Sequence, residues 1–163
     1  MRLGEVEIAR IVSGGQTGAD RAALDIAIEL GLPYGGWCPA GGLAEDLPTP
    51  PGLLDAYPLL SEATSADPAL RTRLNVRDSD ATLVVRAPGT DSPGTELTLA
   101  IAEELGRPLL VTEGDPTDVR RWLTQLPADG RPITLNVAGP RESNQPGIYR
   151  ATRALLKMVL TWG

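Results

Sequence analysis

The chain has no histidine and no phenylalanine, and a single cysteine among its 163 residues. Without histidine, the commonest general base and the commonest metal ligand are both missing. One cysteine, Cys38, excludes an internal disulfide and a cysteine-cluster metal site. With no histidine to activate it, Cys38 reads as a small packed apolar residue. Aromatic residues are few, so the core must be aliphatic. No apolar run approaches the roughly 20 residues of a membrane span, and nothing near Met1 resembles a signal peptide, so the cytoplasm is the expected compartment. A net charge of −6 argues against nucleic acid or an anionic membrane as partner, since both need a basic surface. A local pocket for a small anion stays open.

The length suits one domain over residues 1–163, able to bury roughly 70% of its unfolded surface. Its organising stretch is Ser13-Gly14-Gly15-Gln16-Thr17-Gly18-Ala19-Asp20. An apolar run at 8–12 precedes it and a helical pattern at 19–30 follows. Strand, glycine turn and helix place backbone N–H groups at the positive end of a helix dipole, where an oxyanion can sit. The dinucleotide fingerprint lacks its first glycine here, and the P-loop lysine is absent. Binding by backbone amides is the expectation, with Ser13, Gln16 and Thr17 as side-chain donors. A βα turn with no ligand is the plainer alternative.

Further along, the pattern predicts a short strand near 34–39 and an irregular Gly/Pro-rich loop over 39–56. A short strand is expected at 57–60. A helix over 67–78 should be capped by Asp67, with Leu70 and Leu74 facing the core. Strands are expected at 81–85, 108–112 and 133–137. Helices are expected up to Leu105, capped by Ser92, over 116–126, capped by Asp115, and over 148–160. Apolar strands alternating with helices imply an α/β, Rossmann-like, three-layer fold, with a mostly parallel sheet and helices on both faces.

Three polar loops, 13–20, 86–96 and 138–147, all follow strands, whereas the turns at 31–33, 106–108 and 127–132 are plain stops. In a parallel sheet the first three emerge at the carboxyl edge, where ligands bind. Gly139 and Arg141 lie in the third loop, and Arg141 can hold a phosphate bidentately. Ser92, Gly94 and Thr95 open a helix after the second loop. Glu96 and Asp20 either complement a helix dipole or contact the ligand. Arg77 either binds anion or pairs with Asp78 at the surface.

These residues carry a resemblance. The blocks Ser13–Asp20, Gly35-Gly36-Trp37-Cys38-Pro39, Ala44-Glu45-Asp46, Asn75-Val76-Arg77-Asp78-Ser79-Asp80, Ser92-Pro93-Gly94-Thr95-Glu96 and Asn136–Ser143 stand in order along nearly the whole chain. The chain resembles the molybdenum cofactor carrier protein family, a branch of the Lonely Guy-type nucleotide-binding superfamily. The resemblance implies a Rossmann-like fold and a pocket at the glycine loops for molybdenum cofactor (molybdopterin), or else a phosphate-bearing nucleotide. It also implies a homo-oligomer and molybdoenzyme recipients. The family's Lys-Gly-Arg pattern after Trp-Cys-Pro is replaced by Ala40-Gly41-Gly42-Leu43, so anion affinity would rest on amides, Arg77 and Arg141. On this reading the phosphate sits near Thr17 and Gly18, with the pterin end toward 37–46 and 94–96.

Two other functions compete. Some superfamily members resemble nucleoside-monophosphate phosphoribohydrolases, with the pattern Pro-Gly-Gly-x-Gly-Thr-x-x-Glu. Here that glutamate position holds Thr98, and Glu96, two positions earlier, is turned by about 200°. A module that senses ADP-ribose-like nucleotides is the third reading.

Overall fold

A computed structural model describes residues 1–89 and 92–161; Thr90 and Asp91, expected within the second polar loop, lie outside it. The strands are β1 (Arg2–Leu3), β2 (Val6–Val12), β3 (Tyr34–Gly35), β4 (Trp37–Cys38), β5 (Ser61–Glu62), β6 (Ala81–Val85), β7 (Leu109–Thr112) and β8 (Ile133–Ala138). The helices are α1 (Ala19–Leu30), α2 (Leu53–Ala56), α3 (Pro68–Arg77), α4 (Pro93–Glu104), α5 (Pro116–Thr124) and α6 (Ile148–Thr161). None of the described helices is long and apolar enough to cross a membrane.

The main sheet runs β3-β2-β8-β6-β7, all parallel, with β1 pairing antiparallel to the start of β2. Such continuous apolar strands as Ala81–Val85, every residue buried, need cover on both faces. One face is covered by α1, α5 and α6, which pack together, and the other by α3 and α4. The larger core joins Ile11, Leu83, Leu135 and Val137 of the sheet to Ile26 of α1 and Leu156 of α6. Across the sheet a smaller cluster holds Val76, Ile101 and Ala102.

Local signals explain the helix ends. The Asp67 carboxylate accepts from the Ala69 N–H at 3.0 Å and Asp115 from the Thr117 N–H at 2.8 Å. Gly31 closes α1 in the left-handed conformation, at φ 70°, which a residue without Cβ adopts at little cost.

Three expectations need correction. Residues 57–60 form no strand; the extended pair is β5, at Ser61–Glu62, parallel to β4. Both its residues are exposed, so it is held by backbone pairing and by the Glu62 carboxylate, which accepts from the Gly41 N–H at 2.7 Å, and hydropathy gives no sign. In α3 the buried residues are Thr72, Asn75 and Val76, not Leu70 and Leu74. Asn75 is buried because its amide brackets β4, accepting from Trp37 N–H at 2.7 Å and donating to Trp37 O at 2.9 Å. The 39–56 stretch is no loose loop: it carries a 3-10 turn at Ala40–Gly42 and α2, and has its own core of Cys38, Ala44, Leu53 and Leu60 against Leu24 of α1. It lies as a strap along the first glycine loop.

Candidate functional site

The last strand of the chain, β8, sits inside the sheet between β2 and β6. Counted from β8, the order β3-β2-β8-β6-β7 becomes 3-2-1-4-5, the Rossmann order with its first strand moved to the end of the chain. The order reverses between β8 and β6, and sheets of this kind bind ligands outside the strand ends at that reversal. A cleft of about 70 Å³ opens there. Ala138 and Gly139 form its floor, Gln16, Asp20 and Arg71 one wall, and Ser92, Gly94 and Thr98 the other, with Arg141 at the rim. It has room for a phosphate-sized group, far below the roughly 300–1,000 Å³ of a pocket that engulfs a whole cofactor.

Arg71 dominates the cleft wall. Its Nη1 lies 3.2 Å from Asp20 Oδ2, and both side chains are largely buried. The guanidinium crosses Gly14 so closely that a Cβ there would lie 2.1 Å from Nη1. Arg71 Nε is buried without a partner, a donor left over in a wall where such groups are normally satisfied. Burial pushes the Asp20 carboxyl up, with Arg71 and the Gln16 backbone opposing. The amide end of α4 faces the same space. Ser92 caps it, accepting from the Thr95 N–H at 3.4 Å, Pro93 has no N–H, and a Cβ built on Gly94 would meet nothing within 4 Å. This end of the helix dipole is open to an anion.

The start of α1 differs. The Ala19 N–H donates to Pro140 O at 3.3 Å, and the buried Asp20 carboxylate already complements the dipole. The glycines of the first loop serve close packing: Gly15 (φ 77°) fits against Leu53 of the strap, and a Cβ on Gly18 (φ 81°) would lie 2.3 Å from Pro140 O. Three glycines so close together are thus accounted for by three neighbours.

Of the residues singled out in the sequence, Gln16, Asp20, Ser92, Gly94, Gly139 and Arg141 come together around the cleft. Gly14, Gly15 and Gly18 lie beneath or behind it. Ser13 is an internal brace, its Oγ donating to Asp20 O at 2.8 Å and accepting from the Gly15 N–H at 3.1 Å. Thr17 turns to the strap. Thr95 is buried behind Ser92, its hydroxyl 3.0 Å from Ser92 Oγ. Two residues stand apart. Glu96 pairs with Arg86 beside a separate cavity of about 400 Å³. Arg77 is at the surface, its Nε 2.7 Å from Asp78 Oδ1, an interaction that holds the Asp78 carboxyl below its usual range.

Sequence reasoning missed Arg71 and Thr72, and did not place Thr98 in the cleft. Arg71 precedes Thr72, so the true buried face of α3 would have found it. Thr98, whose hydroxyl donates to Gly94 O at 3.1 Å, occupies the position where the hydrolase pattern carries glutamate. Cys38 is buried, and burial pushes its thiol up.

On the far flank of the first loop lies an open groove of about 370 Å³ lined by Arg21, Asp25, Tyr57 and Tyr149. Both tyrosine hydroxyls donate to the Asp25 carboxylate. Arg21 stacks 5.9 Å from the Tyr57 ring and grips Asp46 of the strap through two bonds of 2.8 Å.

The geometry agrees with what comparison shows. Residues 11–160 match the family described as "Circularly permutated YpsA SLOG family". The chain is 40% identical to a crystal structure from Syntrophus aciditrophicus described as a "Putative molybdenum carrier protein". The match covers 96% of this chain and 97% of that one, with a TM-score of 0.83. No curated protein matches. The displaced β8 is the permutation made visible, and the chain belongs to the circularly permutated YpsA SLOG family.

Proposed function

We propose that this protein binds and carries a phosphorylated anionic small molecule, with molybdenum cofactor (molybdopterin) as its cargo. The observation that carries the reading is the cleft at the β6–β8 reversal, where Arg71, Arg141, the glycine backbone at 139 and the open start of α4 surround a phosphate-sized space. Arg71 supplies the charge that Ala40-Gly41-Gly42-Leu43 lack. The small cleft grips the phosphate end and leaves the rest of the cargo across its mouth, which suits a molecule to be handed to a molybdoenzyme. The Syntrophus relative's description supports the choice of cargo. A homo-oligomer is part of this reading.

The cleft supports binding better than phosphoribohydrolase turnover. Among the described residues the one carboxylate that lines it, Asp20, is held by Arg71, Thr98 replaces the catalytic glutamate of that pattern, and Glu96 faces Arg86. Native mass spectrometry with molybdopterin, AMP and ADP-ribose tests the reading. It expects a complex with molybdopterin retained unaltered. Release of free base from AMP, or complexes with nucleotides only, would overturn it.

A further inference from the structure

Beside the cleft, the first and third glycine loops aim four donors at one point. Thr17 Oγ1 accepts from the Glu142 N–H at 3.1 Å, so its own proton is directed outward. Ser143 offers its N–H and its hydroxyl, and Arg141 stands behind them. The group at that point is the carboxylate of Glu45, from the strap. The Thr17 hydroxyl donates to Oε1. Ser143 N–H donates to Oε1 at 3.3 Å and Ser143 Oγ to Oε2 at 2.6 Å. Arg141 Nη1 lies 3.7 Å from Oε2. Hydroxyls, a backbone amide and a guanidinium around an anion are the donor set that also recognises phosphate oxygens.

We propose that Thr17, Ser143 and Arg141 form a second oxyanion subsite, which Glu45 fills in this conformation and which the phosphate ester of an incoming ligand takes over. The proposal rests on the oxyanion reading of the cleft and adds its control, since Glu45 is an internal competitor. Arg141 belongs to both places, lining the cleft and reaching Glu45. Displacement needs only a side-chain swing. The Glu45 N–H stays on Gln16 Oε1 at 2.9 Å, Asp46 stays on Arg21, and Ala44 and Leu47 pair through their backbones. The strap therefore holds while the carboxylate leaves. Burial disfavours the charged form of Glu45, but the bonds from Ser143 and Thr17 outweigh it, and its carboxyl stays below the usual range.

Calorimetric titration with inorganic phosphate tests the proposal on the wild-type chain and on E45A, E45Q, E45A/S143A and R71A, with circular dichroism confirming the fold of each. A competitor that occupies the nest nine-tenths of the time weakens apparent affinity about tenfold. E45A is therefore expected to bind phosphate about tenfold tighter or better, E45Q to gain less, and E45A/S143A to lose the gain. If E45A binds like wild type, or its gain survives in E45A/S143A, the subsite falls. Should phosphate bind wild type and E45A alike but weaken in R71A, the cleft stands and the subsite alone is refuted. Failure of every variant to bind would refute both.

Discussion

On its cleft side the first glycine loop meets Arg71 and Asp20; on its strap side it meets Glu45, Asp46 and Leu53. The cleft side is open, with Arg71 held there by Asp20 and an α4 amide end facing free space. The strap side is saturated: Thr17, Gln16, Arg21 and Ser143 all have partners there. Protein interiors satisfy their polar groups, so the open helix end marks where a ligand can enter freely, and the finished network marks where an internal carboxylate, Glu45, already occupies the donors. One short segment does both tasks, one on each flank.

The strongest way to break this contrast is at the joint the flanks share. Gly18→Val adds a side chain where even a Cβ would lie 2.3 Å from Pro140 O. The expected loss is about 3 kcal/mol of stability or more, read by urea unfolding; an unchanged midpoint would show that the third loop is not packed against the first. Next, Arg71→Ala should weaken phosphate binding ten- to hundredfold, roughly the 1.5–3 kcal/mol of a charged hydrogen bond. Stability should fall as well, because Arg71→Ala leaves the buried Asp20 carboxylate without its ion-pair partner.

The flanks should also part on acidification. Glu45 and Asp46 sit below their ordinary values of 4.5 and 3.8. A lowered carboxyl contributes stability above its unfolded value and loses it as pH falls through its folded value. Protection factors of the strap amides, with the intrinsic pH dependence of exchange divided out, should therefore hold from neutral pH down to about 4.5 and fall below it. Asp20 is raised, so its sign is opposite: what it contributes is present at low pH and lost as pH rises through its folded value. Smallest of all, Arg77→Ala should leave stability and phosphate affinity unchanged, because its ion pair is solvent-screened; a clear affinity loss would place Arg77 in the site after all.

Much of this was readable before any coordinates. The apolar runs at 8–12, 81–85 and 133–137 are strands, and Asp67, Ser92 and Asp115 cap the helices expected of them, because caps and burial are local physics. Convergence of the three polar loops followed from parallel topology. Strand order was not legible, since the place of β8 between β2 and β6 depends on non-local pairing, Ile8 with Ile133 on one side and Ala81 with Leu135 on the other. Nor was Arg71, because α3 buries Asn75 for the hydrogen bonds it makes to Trp37, and an apolar template points to Leu70 and Leu74 instead. The glycines of the first loop were legible as special, but not which neighbour required each. Glu45 drew attention only within the Ala44-Glu45-Asp46 block of the resemblance; its seat among donors from two distant loops has no sequence signature.

The central claim is that the reversal between β6 and β8 receives the phosphate end of the ligand. Amide nitrogen–proton correlation spectra recorded during a titration with molybdopterin test it most directly. The account expects the largest shifts at Gln16, Gly94 and Gly139, together with the Arg71 side chain. Shifts confined to the groove of Tyr57 and Tyr149, or none at saturating ligand, would contradict it.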